Sequence, residues 1–307
     1  YQEKQGKWRP HILQLMRELL SSELIDFPIT YPISWGIPSP FPGTEGQVLN
    51  AWAEGMAASM YCSHCGEEQA SEIDASWKKS NGAELIYFLG FDNSYFWGLT
   101  HLALLMAHED KYILPSHIVP NEFYELENQK FSTSRGHLIW AQDLVKEIPR
   151  DYARFYLCFS SPEHNRSNFS KDTLLQIISE RLITPWNKLV ASYQQYELPT
   201  EANSNLAQSA ETLATMKKRL HLAFEIHNFS PRRVTDWALQ NIDRILQNLQ
   251  AKKYAGFESI NSEITLLLQG MGTMMIDLHS KFLAENTNEP LVRLHLRALP
   301  HFPTTAQ

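Results

Sequence analysis

The chain has 307 residues, 43% hydrophobic and 20% charged, with a formal net charge of −7. That apolar content excludes a disordered chain and suffices for one large core or two ordinary ones, and the acidic balance excludes indiscriminate nucleic-acid binding while leaving room for a local basic face. Three cysteines (Cys62, Cys65 and Cys158) fit a reducing, cytoplasmic setting better than a disulfide framework, and no apolar run reaches membrane-spanning length.

Pro10 suits the first turn of a helix, and "HILQLMRELL" follows with Ile12, Leu13, Met16, Leu19 and Leu20 on one side. Five prolines between Asp26 and Gly43 exclude regular helix and predict extended or turn structure. "AELIYFLGF", Ala83 to Phe91, is a short apolar run of β-formers and reads as a buried strand. "SYFWGLTHLALLMAH" has helical length, and "SHIVPNEFYEL" reads as a further strand. From Leu138 the pattern turns helical: "LIWAQDLVKEI", "RDYARFYLCFSS", then residues 171–195, 205–228, 232–253 and 257–285. The tail "LVRLHLRALPHF" alternates apolar and basic residues and predicts a closing strand. The fold class is therefore an α/β first half and an all-α second half, divided near residue 165. Tryptophans 77, 140, 186 and 237, on helix faces, are expected in the core. The chain opens on Tyr1 in a polar run with no secretory signal, which reads as a fragment or a processed product.

Between the second strand and the helices lies "NQKFSTSRGH", Asn128 to His137, with no aliphatic residue among ten. The Lys130 ammonium can neutralise phosphate charge. The hydroxyls of Ser132, Thr133 and Ser134 and the N–H groups around Gly136 can donate hydrogen bonds. A solvated polar loop has the same composition.

"KFSTSRG" resembles the K-M-S-K-S-type signature of class I aminoacyl-tRNA synthetases. The segments around it resemble the methionyl-tRNA synthetase branch of that family, in the right order. They are "ISWGIPSP", "AWAEGMAAS", "WKKSNGAELIYFLGFDNSYFWGLTHLALLM", "IVPNEFYELENQKFSTSRG" and "IPRDYARFYLCFSSPEHNRSNFS". The resemblance covers most of residues 8–195; beyond them the chain matches only in being helical. It implies a Rossmann-like nucleotide-binding catalytic part over 1–165 and a helical, anticodon-binding-like domain over 166–307. It also implies ATP- and Mg2+-dependent activation of an amino acid, with transfer to tRNA. Catalysis there is positioning and charge stabilisation at the phosphates. By this resemblance Lys130, Ser132, Thr133, Ser134 and Arg135 are catalytic. Gly90 and Asp92 hold the ribose, and Lys130, Phe131, Gly136 and His137 contact ATP. Trp52, Gly55, Met56, Ser59, Asn93 and Trp97 line the amino-acid pocket. For Asp92 a helix N-cap is the competing role.

Four departures from the family pattern matter. The H-I-G-H-type segment and the strand that carries it are not in this sequence, which is expected to leave a bare sheet face. The second lysine of the signature is Thr133, with Arg135 the nearest other cation. The pocket has Gly55, Met56, Ser59, Asn93 and Trp97 where the family has alanine, proline, tyrosine, an aliphatic residue and histidine, so the substrate need not be methionine. Of the anticodon-reading pair, Asn187 matches, but Ala191 stands in place of arginine.

Cys62 and Cys65 in "CSHCG" have zinc-knuckle spacing but supply two of four ligands; structural Zn2+ and a reduced loop are both open readings. His101 and His108 lie two helical turns apart, too far to share an ion. Cys158 is expected as inert core. Two functions remain: an amino-acid-activating enzyme, and a non-catalytic synthetase relative that binds an amino acid, nucleotide or RNA.

Overall fold

The computed structural model describes residues 1–4, 7–66, 72–199, 206–286 and 293–302. These fall into two compact units, Tyr1–Glu122 and Phe123–Gln307.

In the first unit, helix α1 (Pro10–Leu20) starts with its proline in the first turn, where no N–H is needed, and buries Ile12, Leu13 and Met16. The proline-rich stretch that follows is bends and extended chain, with a short antiparallel pair of β1 (Thr30–Tyr31) and β2 (Val48–Leu49). Helix α2 (Ala51–Cys65) is capped by Asn50, whose side chain accepts from the Trp52 N–H at 3.0 Å. Strand β3 (Leu85–Gly90) pairs in parallel with β4 (Pro115–Asn121). Between them runs a π-helical turn, Phe96–Thr100, continued by helix α3 (His101–Met106). The helical length predicted for this stretch is correct, but the wider π turn is a local deviation that periodicity does not reveal. α1 packs its apolar face with Leu99 and Ile118.

In the second unit, β5 (Tyr124–Leu126) pairs antiparallel with β6 (Gln129–Lys130) and parallel with β7 (Ser167–Phe169). Helices α4 (Ala141–Glu147) and α5 (Arg150–Phe159) lie between β6 and β7 in sequence. After β7 every described element is helical. α6 (Lys171–Ile177) runs through a π-helical stretch, Ile178–Ile183, into α7 (Thr184–Gln194). α8 (Leu206–Phe224), α9 (Pro231–Gln250), α10 (Phe257–Met271) and α11 (Ile276–Asn286) complete the bundle. One core joins Leu126 of the small sheet to Trp186, Trp237 and Leu267 of the helices. Residue 165, where the sequence suggests a division, lies between helix α5 and strand β7. The contact boundary lies elsewhere, between Glu122 and Phe123.

Three expectations need correction. The stretch 257–285 is two helices, not one. The break is held from α5, where Arg154 donates to the carbonyls of Thr273 and Met274 while the Asp151 carboxylate accepts the N–H groups of Asp277 and Leu278. The tail over 293–302 forms no strand; residues 291 and 292 of that prediction lie outside the described residues. Side chains take the place of a partner strand. Asn187 donates to the Leu299 carbonyl at 2.9 Å and accepts its N–H at 2.7 Å, Trp186 donates to Arg297, and Tyr193 accepts from Leu294. Finally, Trp77, Trp186 and Trp237 are core, but Trp140 is 61% exposed. It occupies the N-cap position of α4, outside the helix face that packs.

Candidate active site

The signature loop is built on a tight hairpin. Glu127 and Asn128 have φ of 49° and 60°, the two consecutive positive angles that a two-residue turn between β5 and β6 demands. Asn128 N–H is tied to the Asn168 side chain on β7 at 2.6 Å, and Glu127 N–H to the Phe169 carbonyl at 3.0 Å. Beyond Lys130 the loop closes on itself: Ser132 and His137 exchange both backbone hydrogen bonds at 2.9 Å. Inside that closure Ser132 Oγ accepts the Arg135 N–H at 3.3 Å and lies 3.2 Å from Ser134 Oγ. Gly136 has φ of +68° and donates to the Thr133 carbonyl; a Cβ there would meet nothing, so backbone conformation and not space calls for glycine.

The base of the loop is anchored and its tip is free. Phe131 packs against the bundle core, and His137 Nε2 lies 2.8 Å from the Leu126 carbonyl, which makes Nε2 the protonated nitrogen. Thr133, Ser134 and Arg135 are exposed. The Lys130 ammonium lies 6.0 Å from the centre of the Phe123 ring, and the Arg166 guanidinium 5.4 Å from the same ring. Arg166, a cation on the segment entering β7, was not singled out in the sequence; only the fold brings it near Lys130.

The predicted ribose and amino-acid positions belong to the first unit. Gly90 ends β3, and a Cβ there would lie 2.7 Å from Asp92 Oδ1 and 3.3 Å from Asn93 Nδ2. Glycine thus lets the Asp92 carboxylate lie close over the strand end, where Asn93 donates to it at 3.0 Å. Asp92 is exposed and caps no helix; the competing N-cap role is not realised. On α2, Trp52 stacks flat on Phe96, with centroids 3.8 Å apart and planes 3° from parallel. That contact joins the α2 positions to the π turn that carries Trp97. Met56 is buried, Ser59 Oγ donates to the Met56 carbonyl at 2.6 Å, and a Cβ on Gly55 would meet nothing within 4 Å. Phe96 escaped sequence reading because an aromatic on a helix face reads as ordinary core.

Cys62 and Cys65 end α2, both exposed. Among the described residues no group of three or more His, Cys, Asp or Glu can hold a metal, so the thiol pair alone does not make the zinc site its spacing suggests. Cys158 is partly buried, and burial pushes its thiol pKa up, away from reactivity. Asn187 spends its carboxamide on Leu299, as described above. In the second unit a cavity of about 690 Å³ is lined by Tyr193, Glu285, Arg293, His295 and Arg297; none of the predicted site residues lines it. Among the described residues no helix is long and apolar enough to cross a membrane.

The fold is that of a class I synthetase. Across 99% of its length the chain superposes on 65% of Mycobacterium tuberculosis methionyl-tRNA synthetase bound by methionyl-adenylate, with a TM-score of 0.68 at 18% identity. Residues 1–194 match the family model of tRNA synthetases class I (M), and the chain belongs to that family of ligases. The methionine–tRNA ligase of Thermomicrobium roseum is 34% identical over 194 residues, which are 62% of this chain and 33% of that protein. The methionine–tRNA ligase of Caldivirga maquilingensis is 33% identical over 174 residues, 54% of this chain and 29% of that one. The chain thus spans about a third of the length of these relatives.

Proposed function

We propose that the chain carries the phosphate-holding and amino-acid-holding part of an enzyme that activates an amino acid with ATP. The carboxylate of the amino acid attacks the α-phosphate, pyrophosphate leaves, and the adenylate is passed on to tRNA. The observation that carries this reading is the signature loop. It is anchored at Phe131 and His137 and presents Lys130, the hydroxyls of Ser132, Thr133 and Ser134, and Arg135 at an exposed tip. In this reading those groups, with Gly136, meet the triphosphate and its Mg2+, which arrive together as substrate. Asp92 accepts from the ribose hydroxyls across Gly90. Trp52, Gly55, Met56, Ser59, Asn93 and Trp97 select the amino acid. The helices after β7 serve as the anticodon-binding-type bundle, and a cytoplasmic setting goes with this reaction. Asn187 can read nucleic acid only by releasing Leu299.

Thr133 favours a second reading, a synthetase relative that binds amino acid, nucleotide or RNA without turnover. The test is ATP–pyrophosphate exchange with magnesium and each standard amino acid in turn, using the longest form of the protein the gene encodes. Exchange with one amino acid establishes activation and names the substrate. No exchange from folded protein removes activation of standard amino acids and favours the binding reading.

A further inference from the structure

In the first unit, Tyr87 and His101 have no part in the reaction as proposed, yet they contact a residue that does. His101 opens α3 and is 2% exposed. Its Nδ1 lies 2.8 Å from the Tyr87 hydroxyl on β3, and the two rings stack at 6.0 Å and 30°. Trp97 meets both: its ring lies edge-on to His101 at 5.3 Å and 74°, and tilted to Tyr87 at 5.2 Å and 59°. Trp77 lies against His101 at 5.7 Å, and its Nε1 donates to Ser63 Oγ at 3.0 Å. Ser63 Oγ in turn donates to the Ser59 carbonyl on α2 at 3.1 Å. A continuous path therefore runs from Trp97 on the π turn to Ser59 on α2.

The path is rigid for physical reasons. Burial lowers the His101 pKa to about 4, so the ring is neutral at pH 7. Burial raises the pKa of Tyr87, so the phenol keeps its proton. Among the described residues the hydroxyl meets Nδ1, and with the phenol as donor the imidazole proton sits on Nε2. Breaking the contact would leave a partly buried hydroxyl to find another partner. The π turn adds to this argument, since such turns recur where a helix has been adjusted to present a side chain.

We propose that Tyr87 and His101 are positioning residues: they hold the Trp97 indole in one setting and, through Trp77 and Ser63, tie it to α2, fixing the width of the amino-acid pocket. The part of this that concerns the pocket rests on the activation reading. The part that concerns the indole does not.

The test uses full-length protein and Tyr87→Phe, which removes one hydroxyl and keeps the ring, with Ser63→Ala as a second variant at the other end of the path. The first readout is the Trp97 indole N–H resonance, assigned with Trp97→Phe. The wild type is expected to give one sharp signal, and Tyr87→Phe a broadened or doubled one. The second readout is amino-acid KM in ATP–pyrophosphate exchange. A rise of roughly tenfold in Tyr87→Phe, with kcat and the KM for ATP within about twofold of wild type, is the expected pattern for lost substrate positioning. Ser63→Ala is expected to change both readouts in the same direction and less. An unchanged indole signal in Tyr87→Phe overturns the proposal whatever the exchange assay gives. A broadened signal with unchanged amino-acid KM overturns the link to the pocket. If the wild type exchanges with no amino acid, the activation reading fails by itself, and the indole signal still decides whether Tyr87 and His101 position Trp97.

Discussion

Thr133 stands where the signature pattern has a lysine, and its neighbours define what that change does. The loop around it is closed by its own hydrogen bonds, so a longer side chain at this exposed tip meets no obstruction. In the activation reading, a cation placed there adds charge where pyrophosphate would depart. Thr133→Lys is therefore expected to raise the exchange rate about tenfold or more, and Lys130→Ala to lower it about a hundredfold, both read from initial rates. A Thr133→Lys rate equal to wild type would mean that Arg135 or Arg166 already supplies that charge. His101 gives a second residue-scale expectation. Its folded pKa of about 4 lies below the ordinary 6.5, so between those values the unfolded chain binds more protons than the folded one. Stability from this group is full above pH 6.5 and is lost as pH falls toward 4, by at most about 1.4 kcal/mol per pH unit for one proton. Urea midpoints for wild type and His101→Gln, compared at pH 7 and pH 5, check this. The wild type is expected to lose more between the two than the variant. The candidate site was legible in sequence where a motif and its flanking segments came in order, as for Lys130 to Gly136. It was not legible at Tyr87, His101 and Phe96, because a histidine or aromatic on an apolar helix face carries no mark distinguishing a positioning role from packing.

At the scale of elements, the hairpin under the signature loop shows local chemistry at odds with local geometry. Its turn needs positive φ at two residues; asparagine at 128 tolerates that, while glutamate at 127 does so at a cost. Glu127→Gly is expected to raise stability by about 0.5–1 kcal/mol, seen as a higher urea midpoint with unchanged slope. An unchanged or lower midpoint would mean that the extra freedom glycine gives the unfolded chain outweighs the strain relieved. The helices show which elements sequence reveals. α1 and α9 each place proline in the first turn and repeat their apolar residues at helical spacing, so both were readable. The break between α10 and α11 was not, because it is held by Arg154 and Asp151, more than a hundred residues away. The tail misled for a related reason. Its alternation holds from Arg293 to Arg297, where Leu294 and Leu296 turn inward, and slips before the buried Leu299; the segment docks on the side chains of α7 and not on a strand. Asn187→Ala removes both bonds to Leu299 and is expected to cost about 1–3 kcal/mol, while Asn187→Asp keeps the acceptor and costs less. Equal stability of Asn187→Ala and wild type would mean that water replaces the carboxamide, and that the tail's other bonds, to Trp186, Tyr193, Tyr152 and Asn286 among them, suffice to hold it.

At the scale of the whole molecule, the two units differ in how completely they cover their own apolar surface. The second has a continuous core running from Leu126 to Leu299. The first divides its buried residues into small groups around α1 and around Trp77. It exposes Trp35 at 87%, Ile25 at 77% and, on β3 itself, Phe88 at 59%. Its parallel sheet has two strands among the described residues, whereas parallel sheets are normally covered on both faces. We expect another element to cover these side chains in the working protein. The second unit exposes fewer large apolar side chains. Residues 123–307 produced alone are therefore expected to unfold in one cooperative transition, and residues 1–122 produced alone to bind a hydrophobic dye such as ANS and melt without a sharp transition. Circular dichroism melts and dye fluorescence on the two pieces separate the possibilities. A sharp melt without dye binding for 1–122 would show that Trp35, Ile25 and Phe88 are tolerated exposure on a self-sufficient unit. Dye binding by 123–307 would show instead that its helical core depends on the first unit.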